Sequence, residues 1–476
     1  MIRLLYCLAF GLVVLPAAAP AADFATLVAQ CASPDPRTAI AACTDIIAAG
    51  DDMGAQRFTA LTARARAELG LDEPDLTIAD DTAALAINPQ SGQAFETRGR
   101  AYDVKSNFTA AIADETQAVK YLPQNLDAVY WLGVVEDDAG SFKQAIVDQT
   151  KAIALSPYAE GAYIERALDY DGLGDLTAER NDLDRALILA PRDTGVYILR
   201  GNLFNEMNKY DLGIKDFNAA LALDPGNPFA QRGLGFSFFG LGDWHHAVDA
   251  LTTAINNTRM PAGTRGTCLG ERGFAFLDSG DQDQAIADLS AAIKLNPRDY
   301  SAYGGLAAAY HKKHAYKLAL QDDETAIQIN PKYVYAYLGM SQIYIEQKNF
   351  AGAVTVDQRL IALTPNDGVS WNHLCWDRAH FGQLKAALAN CQKAVTLAPT
   401  DANIWDSYGY VCLQLRKNAL AVKYYSRALV IKPAFASSLF GRALAEQALG
   451  DKIKAAADRA AAVKLEPGIT NSFGTL

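Results

Sequence analysis

Two histidine pairs and a set of cysteines are the side chains of this 476-residue chain whose spacing could support chemistry. His245 and His246 stand together at the start of a helical stretch, and His311 and His314 lie one helical turn apart. A histidine pair can begin a metal site, but such a site needs a third donor, and none follows either pair at a recognisable interval. Both pairs therefore read as solvated surface, and no metal or other cofactor is expected. The total of 6 histidines points the same way. The chain has no HExxH, no GxxxxGK followed by Ser or Thr, no GxSxG and no GxGxxG opening a strand–helix unit. Gly233 to Phe236 falls inside a repeated helical segment, as packing glycine. No catalytic residue is assigned, and the chain reads as non-enzymatic.

Cysteine supplies the other chemistry. With Cys7 set aside in an apolar leader, Cys31, Cys43, Cys268, Cys375, Cys391 and Cys412 remain. An even number in an exported chain permits disulfides. Cys375 and Cys391 stand equally far from an intervening turn on two facing helices, a placement that brings their Cβ atoms to bonding range. Cys31 and Cys43 straddle the turn from Pro34 to Pro36 in a less symmetrical way. Cys268 and Cys412 are expected as buried free thiols. The plain alternative for both pairs is a set of small core residues.

The elements that position these side chains follow from a repeat. Prolines recur at Pro89, Pro123, Pro157, Pro191 and Pro225, then at Pro297, Pro331, Pro365, Pro399, Pro433 and Pro467. Every step is 34 residues except the 72 from Pro225 to Pro297, which is two repeats plus four residues. Five residues before the proline stands alanine, with Leu360 the exception. Twenty-four before it stands a small residue, such as Ala65, Gly99, Gly133, Gly201, Cys375 or Gly409. Small residues on two facing helices let the backbones approach, and large neighbours such as Tyr163, Tyr337 and Trp405 fill the remaining volume. The proline then stops the second helix, because it lacks an N–H and restricts the residue before it.

Charge and the first residues bound the setting. The chain is 50% hydrophobic and 20% charged, with a net charge of −11. That is globular composition, and its acidity disfavours a nucleic-acid partner. Arg3, the apolar run Leu4 to Leu15 and the small residues Ala17 to Ala22 read as an export signal cleaved near Ala21 or Ala22. No second apolar run is long enough to span a membrane. The expected address is the periplasm, or the medium.

Gly99, Tyr102, Phe108, Ala111, Ala118 and Pro123 within one repeat resemble the tetratricopeptide signature. The stretch Leu374 to Pro399, with Trp405 to Tyr410 and Phe440 to Ala445, resembles bacterial periplasmic members of that family. The resemblance implies an all-α, right-handed α-solenoid of about twelve helix-turn-helix repeats. It divides the chain into a signal peptide (1–22), a helical-hairpin cap (23–57), repeats one to six (58–254), an insertion and candidate hinge (255–265), repeats seven to twelve (266–469) and a tail (470–476). The array reaches Pro467, so no catalytic domain is expected after it. The family's clamp for a C-terminal carboxylate is not supported, because Gln231 and Leu269 stand near where its lysine belongs, despite Asn202 and Asn205.

In such arrays the first helix of each repeat lines a concave groove, which is where a partner is expected. The repeat frame puts Glu96, Asp103, Asp127, Tyr130, Asp137, Asp138 and Asp171 on the early part of that surface. Phe229, Arg232, Phe236, Phe239, Phe274 and Leu277 follow in the middle, then Tyr335, Leu338, Trp376, Tyr410 and Phe440. The bland reading is that several of these rings pack between helices. The leading function is an exported scaffold binding a protein or extended peptide, in envelope assembly or maintenance. The alternative is a carbohydrate- or small-ligand-binding solenoid, with Trp376, Tyr335 and Phe239 stacking on sugar rings.

Overall fold

The computed structural model describes residues 24–49 and 54–472. The signal segment, residues 50–53 of the cap and the end of the tail lie outside the described residues. Every regular element among the described residues is an α-helix. The cap is the hairpin Phe24–Cys31 and Pro36–Ala48, and twelve helix pairs follow it. A typical pair is an A helix, Gly92–Val104, and a B helix, Phe108–Tyr121.

Local chemistry sets the boundaries. Asp193, Asn227, Asp299 and Asp367 precede A helices and accept hydrogen bonds from their first free N–H groups, which is the usual work of a short polar cap. Between the two helices of each repeat one residue takes a left-handed conformation. Glycine does so at Gly140, Gly174, Gly242, Gly280, Gly382 and Gly450. At the matching places Asp72, Ser106, Asn208, His314, Lys348 and Arg416 do it with a side chain. The B helix ends where expected. Ser156 before Pro157 and Asn296 before Pro297 both leave the helical region, at φ −140° and −133°, as a following proline requires.

The small and alanine positions of the repeat are buried without exception. Gly409 shows why the first must be small: a Cβ there would come within 2.8 Å of the Tyr425 ring. A second device recurs sixteen residues apart. Arg64, Arg98, Arg166, Arg272 and Arg442 each grip the carboxylate of Asp80, Asp114, Asp182, Asp288 and Asp458 through Nε and Nη2. Each also donates Nη1 to a hydroxyl one repeat earlier: Thr44, Thr82, Thr150, Thr252 and Ser426, at 2.8–3.0 Å. One guanidinium thus joins both helices of its own repeat to the B helix before it, in the planar fork geometry that fixes orientation.

The chain divides into two compact units between Met207 and Asn208. The first holds the cap, four repeats and the A helix Thr194–Glu206; the second begins with the B helix Tyr210–Leu223. The insertion lies inside the second unit. Its extra residues lengthen the next A helix, Ala262–Ser279, to 18 residues where its neighbours have 13. The segment read as a candidate hinge makes contacts on both sides. Arg259 pairs with Asp224 at 2.9 Å, Asn257 donates to the Gly226 carbonyl, and Met260 is buried beside Leu251 and Cys268. The tail also begins with structure, a short helix Ile469–Ser472 whose Ile469 packs with Phe440.

Candidate functional site

The A helices of the first unit present acids. Glu96 pairs with Arg100 one turn later, and the Arg100 guanidinium lies 4.5 Å from the Trp131 ring centre, a cation–π contact. The Tyr130 hydroxyl donates to Glu165 at 3.2 Å. Asp127, Asp138 and Asp171 are exposed, and Asp103 and Asp137 are half-buried. Burial, with the like charge of Asp138 beside it, pushes the Asp103 carboxyl up to about 6. Burial also raises Glu96, Asp137 and Glu165.

Sequence reasoning missed Asp169, which is wholly buried on the same helix as Asp171. Burial lifts its carboxyl to about 8, with Asp137 and Glu165 adding like charge. The signal that could have found it is an aspartate at a position where neighbouring repeats hold alanine, valine or leucine: Ala101, Val135 and Leu203.

The second unit presents rings instead. Phe229 and Phe236 are 44% and 41% exposed, while Phe239 is half-buried, edge-on to Trp244 at 5.1 Å. Trp376 and Tyr410 come together at 5.1 Å, with His380 between them and Phe350 in a stacked cluster. His380 is also new; it stands four residues beyond Trp376, on the same helix face. Tyr335 projects, 75% exposed.

Three residues expected on this surface are not free there. Phe440 and Leu277 are buried in the core, each 6% exposed, because the repeat frame gives a direction without the size of the neighbours that close over it. Arg232 does lie half-buried, but its charge is taken by Glu271 at 2.6 Å. Phe274 and Leu338 are half-buried and pack against core clusters.

The histidines hold separate partners. His245 faces Asp249 and His246 faces Asp243; His311 meets Glu346, and His314 meets the Tyr316 hydroxyl. The cysteines come together as spaced. The Cα atoms of Cys31 and Cys43 are 4.8 Å apart, and those of Cys375 and Cys391 are 5.2 Å apart. Cys375 and Cys391 occupy the places that Gly409 and Tyr425 hold one repeat later. Cys268 and Cys412 are buried and free, and burial pushes both thiols up to about 11, which leaves them unreactive at neutral pH. Thiol labelling of denatured, unreduced protein should therefore modify Cys268 and Cys412 and spare the other four. A linkage from Cys375 to Cys391 should contribute about 3 kcal/mol. Labelled Cys375 in protein from an oxidising compartment would refute the pairing.

Three family models match: "TPR repeat" over residues 273–313, and "Tetratricopeptide repeat" over 96–160 and again over 194–227. Superkiller complex protein 3 of Homo sapiens is 35% identical over 81 residues, which is 17% of this chain and 5% of that protein. The chain thus spans about a twentieth of that curated relative's length. Among solved structures, a tetratricopeptide repeat protein from Parabacteroides merdae aligns at 16% identity over 53% of this chain and 99% of its own, with TM-score 0.44. Pseudomonas aeruginosa pilF aligns at 20% identity over 44% of this chain and 92% of its own, with TM-score 0.39. Twelve helix pairs at a 34-residue step, matched by repeat models in three separate stretches, make this chain a tetratricopeptide-repeat protein.

Proposed function

We propose that this protein-interaction scaffold works outside the cytoplasm, without catalysis, and holds extended protein segments on the A-helix faces of its repeats. The observation that carries the reading is the pair Phe229 and Phe236, large rings left exposed on A-helix positions of a helical array. Rigid exposed rings bury much area on binding at small entropic cost, which is how binding hot spots are built. The apolar leader and the cysteine pairs support an exported setting, and envelope assembly or maintenance fits both. The carbohydrate alternative is weaker, because Trp376 packs at a tilt against His380 and Tyr410, and Phe239 is engaged by Trp244. Those contacts leave fewer ring faces for a sugar.

The test is Phe229→Ala with Phe236→Ala in the full chain. Crosslinked capture of partner protein from envelope extract should fall at least about tenfold, the loss expected from removing two aromatic anchors, while helicity by circular dichroism is kept. A folded double variant that captures the same proteins equally well would refute this surface.

A further inference from the structure

Asp103, Asp137, Asp138, Glu165 and Asp169 of the first unit form a group whose members feel one another as like charge. Asp103 on the helix Gly92–Val104 feels Asp138 on Leu126–Asp138. Asp137 lies against Asp169 on Glu160–Leu173, with Glu165 beside both. Asp169 is the separate sign that something is awaited there. It is inaccessible, it is directed at Asp137, and neither of its oxygens has a hydrogen-bond donor. Two carboxylates have no proton to offer each other, so this contact becomes a hydrogen bond only when the pair holds one proton between them.

The elements packed around the pair add mostly like charge. Glu136 shares the helix of Asp137 and feels Asp169. On Phe142–Leu155, Asp148 meets Glu136, and Lys151 is already held by Asp148 at 2.6 Å. On Leu176–Leu189, Glu179 lies near Asp171 and near Glu206 of the following helix. Among the described residues no three carboxyl, imidazole or thiol groups gather as metal ligands would. That directs the site toward a cation that brings its own reach, the ammonium or guanidinium at the end of a flexible side chain.

We propose that this face takes a basic segment of the partner protein, that a lysine or arginine side chain docks against Asp137, and that docking expels the proton shared by Asp137 and Asp169. The proton passes to the buffer, and the second carboxylate so formed is balanced by the incoming cation. The proposal rests on the reading of the A-helix faces as the interaction surface. Affinity then rises with pH through the range in which the pair gives up its proton, because the ionised pair is the form that holds the cation. Exposed Asp138 and Asp171 act differently: they attract the segment at long range and are screened by salt.

The probe is octalysine, titrated into the full chain by calorimetry at about pH 7.5 in phosphate and in Tris, whose ionisation heats differ. The expected result is binding with release of about one proton per peptide. Asp137→Asn, and separately Asp169→Asn, should abolish that release and weaken binding about tenfold. Asp138→Asn with Asp171→Asn should weaken binding at low salt and leave the proton count unchanged. Absence of octalysine binding, or unchanged proton release in both Asp137→Asn and Asp169→Asn, would overturn the proposal. If octalysine fails to bind while capture still depends on Phe229 and Phe236, the acidic site alone falls. If both fail, the reading of the A-helix faces falls with it.

Discussion

Gly441→Leu should cost about 3 kcal/mol or more and unfold the C-terminal end of the second unit while the first unit stays folded. Tyr425 is wholly buried and lies between two glycines. A Cβ at Gly441 would come within 2.3 Å of the ring carbon that bears the hydroxyl, and one at Gly409 within 2.8 Å of the ring. Neither side has room to give, so a leucine must push helix Ala436–Leu449 off Asn418–Ile431. Contacts in a repeat array are between neighbours, so the damage should stay local. Hydrogen exchange measures it: protection should fall across 402–465 and hold across 54–189. A single cooperative loss of helicity along the whole chain would contradict this outcome. The Tyr425 hydroxyl has no partner, so Tyr425→Phe serves as a contrast that should leave the fold intact.

The second large effect is a stability that falls as pH rises. Glu115 sits at the position held by Tyr425 eleven repeats into the array, fully buried, with both oxygens unpartnered. Burial pushes its carboxyl up to about 9, with Glu96 adding like charge. Asp81 at the same place one repeat earlier is pushed up to about 8, again mainly by burial. A carboxyl whose folded value is raised leaves stability intact below its unfolded value, near 4.5. It takes stability away as pH climbs toward the folded value, because only the unfolded chain ionises freely. For Glu115 the window runs from about 4.5 to about 9. The next repeat shows the remedy, since Gln149 fills this position and donates to the Tyr130 carbonyl at 3.1 Å. Glu115→Gln should therefore gain on the parent by roughly 2–3 kcal/mol between pH 5 and pH 7. Thermal melts across that range check it; parallel curves for the two proteins would refute it.

Most of the fold was legible because a repeat multiplies weak signals. One proline after a helix says little, but eleven in phase mark the ends of all the B helices except Trp244–Asn256, and the buried alanine and small positions follow from the same frame. The approach of Cys375 to Cys391 was legible for the same reason: they stand at two places where adjacent repeats show facing residues. The arginine–aspartate pairs were within reach too, since Arg64 and Asp80 recur as Arg98 and Asp114 one period on. What the frame could not give is depth. It assigns Phe440 and Tyr335 to one helix face alike, yet one is 6% and the other 75% exposed. That difference depends on which side chains of the adjoining helix close over each ring. Nor could it foresee buried acids at Asp81, Glu115 and Asp357, because carboxyls at a large-residue position look like surface until a facing helix covers them. The insertion could be read as a longer helix end with a loose turn or as a hinge; four residues are slightly more than one helical turn, and the helix that follows, Ala262–Ser279, is the lengthened one.

The arginine that grips its own aspartate and the preceding hydroxyl makes the seams between repeats interchangeable. Thr82 receives Arg98, and Thr150 receives Arg166, through the same atoms. An excision of residues 92–159, two whole periods, would bring Thr82 against Arg166 with donor and acceptor already matched. Unequal recombination between such seams yields shorter or longer descendants whose new junction is one the molecule has already proven. The length of this chain is in that sense a counted quantity, open to revision by whole periods, whereas the residues lining each A-helix face can drift independently within every period.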